Sequence, residues 1–158
     1  MKSTKLLKKP KINILDCQKK FSLGQGLEEQ IKRTVILTLK SEKKLHKPVE
    51  INICLMDNKG IREFNLMYHA NDFPTDVLAF SLNEKMRNPK EILADIIIST
   101  EIAISNAKIY HTAPVKELLL YVTHAVLHIL GYDDNTKSKK ELMQKKSEQI
   151  LSTLKPKA

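Results

Sequence analysis

The sequence predicts an α+β fold in which a small mixed sheet packs against helices. Alternating apolar and polar residues mark two strands, KINILD (11–16) and VEINICLM (49–56). Apolar residues at three- and four-residue spacing mark amphipathic helices between and after the strands. The resulting order of elements, βαβαββααα, is typical of a sheet that carries helices on its faces.

The first two helices are predicted from their periodicity and caps. The first covers residues 26–45, and Pro48 ends its connection to the second strand. The second begins at Asp57 or Asn58, either of which can cap it, and runs to about His69. Both helices are long enough to cover one face of a small sheet.

Two further strands and three helices complete the chain. VLAFSL (77–82) and EILADIIIS (91–99) are strands on either side of a polar loop that contains Arg87, Asn88 and Pro89. A cap at 99 or 100 starts the third helix. Proline and glycine favour opposite ends of a helix, so the fourth is predicted to open at Pro114 and close at Gly131. A last, lysine-rich helix begins at Asn135.

Length and composition fit one domain over residues 1–158, with lysine-rich ends at 1–10 and 150–158 that we expect to be disordered. Hydrophobic residues make up 42% of the chain, and no apolar run approaches the roughly 18 residues that cross a bilayer. The N-terminus carries no secretory signal, and two isolated cysteines suit reduced thiols. We therefore expect a cytoplasmic protein with no membrane partner.

The net charge of +9 lies in the two ends of the chain. Residues 1–20 carry +6 and residues 135–158 carry +5, whereas the intervening part carries −2. Such polycationic ends attract a phosphate backbone through counterion release. The excess of lysine over arginine is also what an AT-rich genome produces, and acidic lipid surfaces fit the charge as well.

THAVLHILGYDD (123–134) contains the candidate site. His124 and His128 lie four residues apart, so both imidazoles share one face of the fourth helix and can reach one ion. Gly131 lets the chain turn sharply and return Tyr132, Asp133 and Asp134 toward the helix end. A third ligand from this turn would leave an open position for water, the pattern of catalytic zinc. The alternative is two partly buried histidines that bond to the backbone, beside a solvated turn.

The spacing H-x-x-x-H-x-x-G-x-x-D is also that of metzincin proteases, which raises a competing function. Those enzymes need a glutamate directly after the first histidine as general base. That position is Ala125 in this chain. The spacing of the ligands therefore agrees with that of a metzincin, but the general base of the protease reaction is missing.

With its flanks, the histidine segment resembles the C-terminal signature of the bacterial YbeY family, H-G-x-L-H-L-x-G-Y-D-H. FNLMYHANDFPTDVLAF (64–80) resembles the family's L-N-x-x-Y-R-x-x-D-x-P-T-D-V-L-S-F, and LADI (93–96) resembles its L-G-D-I. The order and separation of the three blocks also match.

The resemblance implies a zincin-like fold and a single-strand-specific, metal-dependent endoribonuclease. Such enzymes act in 16S rRNA 3′-end maturation and ribosome quality control, so the implied partners are rRNA and the small ribosomal subunit, with no DNA expected. The implied ligands of one Zn²⁺ per chain are His124, His128 and Asp134. Substrate-binding residues remain unassigned.

Two departures from the family pattern concern catalysis. Asp134 replaces the family's third histidine; its carboxylate can still bind zinc, but its negative charge makes the ion a weaker Lewis acid. His69 replaces the family's arginine, a candidate catalytic position, and an imidazole lacks the permanent charge and fork of guanidinium. A catalytically weak rRNA-binding assembly factor with a structural zinc is therefore the second hypothesis, and a metalloprotease is the third.

Overall fold

A computed structural model of the chain describes residues 9–22, 25–83 and 90–154. Their elements follow the order βαβαββααα, so the α+β prediction is confirmed. The polar loop predicted around residues 87–89 lies outside the described residues, as do the terminal segments 1–8 and 155–158. The elements are β1 (Lys11–Cys17), α1 (Gln25–Ser41), β2 (Val49–Met56), α2 (Asn58–His69), β3 (Val77–Ser81), β4 (Ile92–Ser99), α3 (Thr100–Tyr110), α4 (Pro114–Ile129) and α5 (Lys137–Ser152).

The four strands form one mixed sheet in the order β1-β2-β4-β3. β1, β2 and β4 are parallel, and β3 is an antiparallel edge strand. The register places Ile53 beside Ile14 on one side and Ile96 on the other. Because successive side chains of a strand point to opposite faces, this alignment gives the sheet one strongly apolar face.

The apolar face of the sheet is covered by α1 and α4, and α2 lies on the opposite face. The main core is filled by isoleucine, leucine and valine side chains that have no exposed surface. They include Ile31, Val35, Ile51, Leu55, Ile98, Leu118 and Val122. A smaller cluster joins α2 to β3 and β4 through Ile61, Leu78 and Ile97. No helix in the described part of the chain is long and apolar enough to cross a membrane.

α1 is shorter than predicted and ends at Ser41. Lys43 adopts a left-handed backbone conformation, with φ of 57°. The Lys44 amide then donates to the Leu39 carbonyl over 2.9 Å. A left-handed residue followed by such a bond is a common way for a helix to stop, so the periodicity that suggested a longer helix is overridden by this cap.

α5 begins at Lys137 and not at the predicted Asn135. The Thr136 hydroxyl accepts a hydrogen bond from the Lys139 amide over 3.2 Å, which satisfies one of the unpaired donors of the first turn. Asn135 therefore belongs to the segment that connects α4 to α5, a segment that also carries the two aspartates of the candidate site.

Gly131 ends α4 as the sequence predicted. Its φ is +104°, a conformation that an L side chain rarely adopts. Directly after it, the Tyr132 amide donates to the Leu127 carbonyl over 3.1 Å, so the chain folds back over the last helical turn. This reversal brings Asp134 to a position facing His128.

We expect Gly131→Ala to lower the free energy of unfolding by about 1–2 kcal/mol, because an alanine Cβ is strained at this φ. Open space surrounds the position, so crowding would add nothing. Urea unfolding of both proteins measures the difference. Gly26→Ala is the matched control, since Gly26 also faces open space but has no positive φ. Equal effects of the two substitutions would contradict the role of Gly131.

Candidate active site

His124 is held within the most buried helix of the protein. Its neighbours Thr123 and Ala125 have no exposed surface, and the proline at the start of α4 matches the sequence prediction. The Nε2 atom of His124 is buried and lacks a hydrogen-bond partner among the described residues. Leaving a buried imidazole nitrogen unpaired costs free energy. This nitrogen is therefore a candidate metal ligand.

His128 lies one turn further along the same face of α4. Its Nδ1 atom is 3.0 Å from the carbonyl oxygen of Tyr132. Since a carbonyl can only accept, Nδ1 carries the hydrogen, and the neutral ring keeps its lone pair on Nε2. This Nε2 faces Asp134, with 3.9 Å between it and Oδ2. The backbone of the turn thus selects the tautomer that can bind a metal through Nε2.

The structure distinguishes between the two aspartates of the turn. Asp133 accepts from the Lys139 ammonium over 3.2 Å and from the Asn135 amide over 3.2 Å. Asp134 faces His128 instead, and its side chain is 54% exposed. Asp134 is therefore the aspartate available as a third ligand.

His124, His128 and Asp134 are residue types that bind zinc, but His128 and Asp134 would have to move closer together to bind one ion. Within the described ranges, no three His, Cys, Asp or Glu side chains have the spacing of a metal site. Tetrahedral zinc with bonds near 2.0–2.1 Å separates its ligand atoms by about 3.3 Å, compared with 3.9 Å between His128 and Asp134. The unpaired nitrogen of His124 and the types of these side chains suit a metal ion, but the separation of His128 and Asp134 is larger than that of two ligands of one zinc ion.

The electrostatic surroundings keep His124 neutral. Burial lowers the pKa of His124 below its ordinary value of 6.5, although the carboxylate of Asp76 acts in the opposite direction, as do Asp134 and Glu117. A neutral imidazole is the form that binds metal ions. Asp76 itself is fixed by the turn before β3, where its Oδ1 accepts from the Val77 amide over 2.8 Å.

A buried polar stripe extends from the site along α4. Glu117, only 7% exposed, accepts from the Thr112 hydroxyl over 2.8 Å. One turn later, the Tyr121 hydroxyl accepts from the Asn106 amide over 2.6 Å. Burial raises the pKa of Tyr121, so its hydroxyl stays protonated at neutral pH. This stripe leads along α4 to His124, and its Glu117 and Tyr121 side chains each accept a hydrogen bond.

A groove of about 1930 Å³ opens beside His124, between α1, α4 and α5. Its floor contains apolar side chains such as Ile36 and Leu119, and Asp76 lies at its edge. Five basic and four acidic side chains line it: Lys32, Arg33, Lys40, Lys116 and Lys140, with Glu29, Asp76, Glu117 and Glu148. The sequence analysis assigned no substrate-binding residues, because this groove is assembled from helices that lie far apart in the chain.

The turn after α4 is also attached to α1 and α5. The Tyr132 hydroxyl donates to Oε2 of Glu42 over 2.7 Å, and the Lys146 ammonium donates to Oε1 over 2.9 Å. Lys146 also lies 5.1 Å from the centre of the Tyr132 ring. The Glu42 side chain is only 14% exposed. Burial alone would raise the pKa of Glu42, but the hydrogen bonds from Lys146 and Tyr132 outweigh it and hold the pKa below 4.5.

His69 lies apart from the two histidines of α4. It is exposed at the end of α2, with its ring stacked on Phe80 at a centroid distance of 6.1 Å and an interplanar angle of 7°. Phe80 belongs to the cluster on the α2 face of the sheet, whereas His124 lies on the α4 helix that covers the other face. His69 does not line the described groove. A catalytic role for position 69 therefore stays a prediction.

Comparisons with known proteins agree on one family. The sequence model described as Endoribonuclease YbeY matches residues 13–155. Endoribonuclease YbeY of Syntrophomonas wolfei is 30% identical over 90% of this chain and 96% of its own. That of Carboxydothermus hydrogenoformans is 36% identical over 89% of this chain and 95% of its own. A Thermotoga maritima protein solved in solution has a similar fold, with a TM-score of 0.58, 29% identity and 89% of each chain covered.

The pKa of Glu42 predicts a stability difference that depends on pH. Because the folded-state pKa is lowered, the stabilising contribution of Glu42 is present above pH 4.5 and is lost as the pH falls through the folded value. We expect wild type to exceed Glu42→Gln in free energy of unfolding at pH 7, by a margin that shrinks as the pH falls below 4.5. Urea unfolding at several pH values measures this margin. Glu50→Gln, at the exposed pair of Glu50 with Lys11, is the control, and a margin that is constant with pH would contradict the prediction.

Proposed function

The chain belongs to the Endoribonuclease YbeY family, and we propose that His124, His128 and Asp134 hold the metal ion on which its cleavage of RNA depends. Membership of this family makes the chain an RNA-cleaving, metal-dependent hydrolase that acts in rRNA maturation. The proposal extends this to one Zn²⁺ per chain, since nitrogen and carboxylate ligands in this number suit a catalytic zinc site.

The buried, unpaired Nε2 of His124 is the observation that carries the proposal. On the same helix face, the Tyr132 carbonyl leaves Nε2 of His128 with its lone pair, directed toward Asp134. The proposed ligands are thus two nitrogen donors and one oxygen donor, of which Nε2 of His128 and the Asp134 carboxylate face each other. A bound zinc would supply a more acidic water and stabilise charge on the phosphoryl oxygens.

The protein's own side chains would bind and orient the RNA. The basic residues that border the groove can pair with phosphates on either side of the scissile bond. The apolar floor can receive nucleotides that are not held in a duplex, which fits a single-stranded substrate. We propose that the substrate is rRNA of the small ribosomal subunit, that the protein works in the cytoplasm, and that residues 1–158 act as a single domain.

The two other functions are not favoured. A metalloprotease would need a carboxylate at position 125, where Ala125 is fully buried in the main core. An assembly factor with a structural zinc would hold its metal with four protein ligands and leave no open position for water, whereas the proposed set has three. Here Asp134 is half exposed and the groove opens beside His124, and the relatives are named as endoribonucleases.

Wild-type protein should hold about one zinc ion per chain, and His128→Ala should lose both the ion and the cleavage of single-stranded RNA. Removal of an imidazole ligand leaves two donors, too few for tight binding. Metal analysis after zinc reconstitution and dialysis, paired with a cleavage assay, makes the measurement. His46→Ala is the control, since His46 is exposed and far along the chain from the site. Wild-type protein that stays metal-free would overturn the proposed site.

Replacing His69 with arginine tests the remaining candidate position. If a guanidinium there reaches the phosphate, His69→Arg should lower the transition-state free energy by on the order of 1–3 kcal/mol, seen as faster single-turnover cleavage. His46→Arg adds the same charge at another exposed histidine and should leave the rate unchanged. An unchanged rate in His69→Arg, with metal content and RNA affinity intact, would exclude position 69 from contact with the phosphate.

A further inference from the structure

We propose that Glu42, Tyr132 and Lys146 form a brace that positions Asp134 and His128 for the metal. The inference rests on the proposed metal site and adds three residues that act through the ligands without touching the ion. The brace joins the end of α1, the turn after α4 and the middle of α5. Each of the three side chains contacts the other two, and Tyr132 is the member that lies in the turn between His128 and Asp134.

Tyr132 connects the brace to His128 through its own backbone. Its side-chain hydroxyl donates to Glu42 over 2.7 Å, while its carbonyl oxygen lies 3.0 Å from Nδ1 of His128. A shift of the tyrosine therefore moves the acceptor that sets the orientation and tautomer of the His128 ring. Partners of this kind orient ligands and tune metal affinity.

Tyr132 also fixes where the chain leaves toward Asp134, two residues later. Gly131, directly before it, permits backbone conformations that other residues avoid, so the turn needs anchors outside α4. Glu42, directly after α1, and Lys146, on α5, supply such anchors; Glu42 lies 90 residues before Tyr132 in the chain and 104 residues before Lys146. Since a site must hold its ligands to within roughly 0.5 Å, this attachment bears directly on the 3.9 Å between Asp134 and His128.

The burial of the brace makes it stronger than a surface ion pair. The Glu42 side chain is 14% exposed and that of Lys146 is 31% exposed. Both oxygens of the Glu42 carboxylate accept a hydrogen bond from a brace partner. By contrast, the pair of Lys11 with Glu50 is 67% and 45% exposed and is separated by 3.7 Å. Exposed pairs of that kind contribute little to stability, which makes Glu50 a suitable control position.

The test compares metal binding by wild type with that by Tyr132→Phe, Glu42→Ala, Glu42→Gln and the control Glu50→Gln. Affinity for Zn²⁺ is measured by competition with a chelating indicator, and ligand geometry by the visible spectrum of the Co²⁺-loaded protein. We expect Tyr132→Phe and Glu42→Ala to weaken zinc affinity by about tenfold and to change the Co²⁺ spectrum. Glu42→Gln should recover part of the loss, because an amide oxygen can still accept from Tyr132. Glu50→Gln should match wild type.

Thermal unfolding of the metal-free proteins identifies variants that are not folded, and Tyr132→Phe changes only one hydroxyl. Unchanged affinity and an unchanged Co²⁺ spectrum in folded Tyr132→Phe would overturn the brace and leave the metal site standing. Wild-type protein that binds neither ion would overturn the metal site, and the brace with it. A loss in Tyr132→Phe and Glu42→Ala that Glu42→Gln partly reverses would support the brace.

Discussion

The burial of α4 is the constraint on which the rest of the structure depends. α1, α3, α5 and the sheet strands β3 and β4 all contact this helix, so most of its surface must be apolar. An imidazole nitrogen that is buried away from water needs a partner from the protein or from a ligand. His128 obtains one from the Tyr132 carbonyl, whereas Nε2 of His124 has none among the described residues. The packing that stabilises the fold therefore also leaves Nε2 of His124 buried without a partner, and a metal ion would supply one.

The segment that follows α4 brings a carboxylate to a position facing His128. Gly131 reverses the chain, the pair of Asp133 with Lys139 occupies one carboxylate, and Asp134 is left facing His128. The attachment of Tyr132 to α1 and α5 adds supports that lie outside the helix bearing the histidines. In the proposed site, the positions of the ligands would therefore depend on three helices, and substitutions remote from the metal would alter its affinity.

The groove beside His124 would give an RNA strand access to the proposed metal site. Its walls come from α1, α4 and α5, the same helices that support the ligand turn. The net charge of +9 is concentrated in the two ends of the chain, and α5 brings part of that charge to the groove through Lys140. A long-range attraction for phosphate and a local site for cleavage are consequently linked through one helix.

The sequence by itself determined the order of elements, the ends of α4 and the pairing of His124 with His128. These follow from local rules: apolar periodicity, the conformational limits of proline and glycine, and the four-residue repeat of a helix face. The quoted motifs were also enough to identify the family. Helix ends were less predictable, since the left-handed Lys43 that stops α1 leaves no mark in the periodicity.

Only the tertiary structure decided which residues surround the histidines. The family motif points to Asp134 as the third ligand, but only the structure shows the surroundings of the two aspartates, with Lys139 beside Asp133 and His128 beside Asp134. Glu42, Tyr132 and Lys146 come together across 104 residues of chain, and His69 is directed onto Phe80 by the packing of α2 against the sheet. Local rules describe neighbours along the chain, whereas these contacts arise from the way the helices pack around one buried helix.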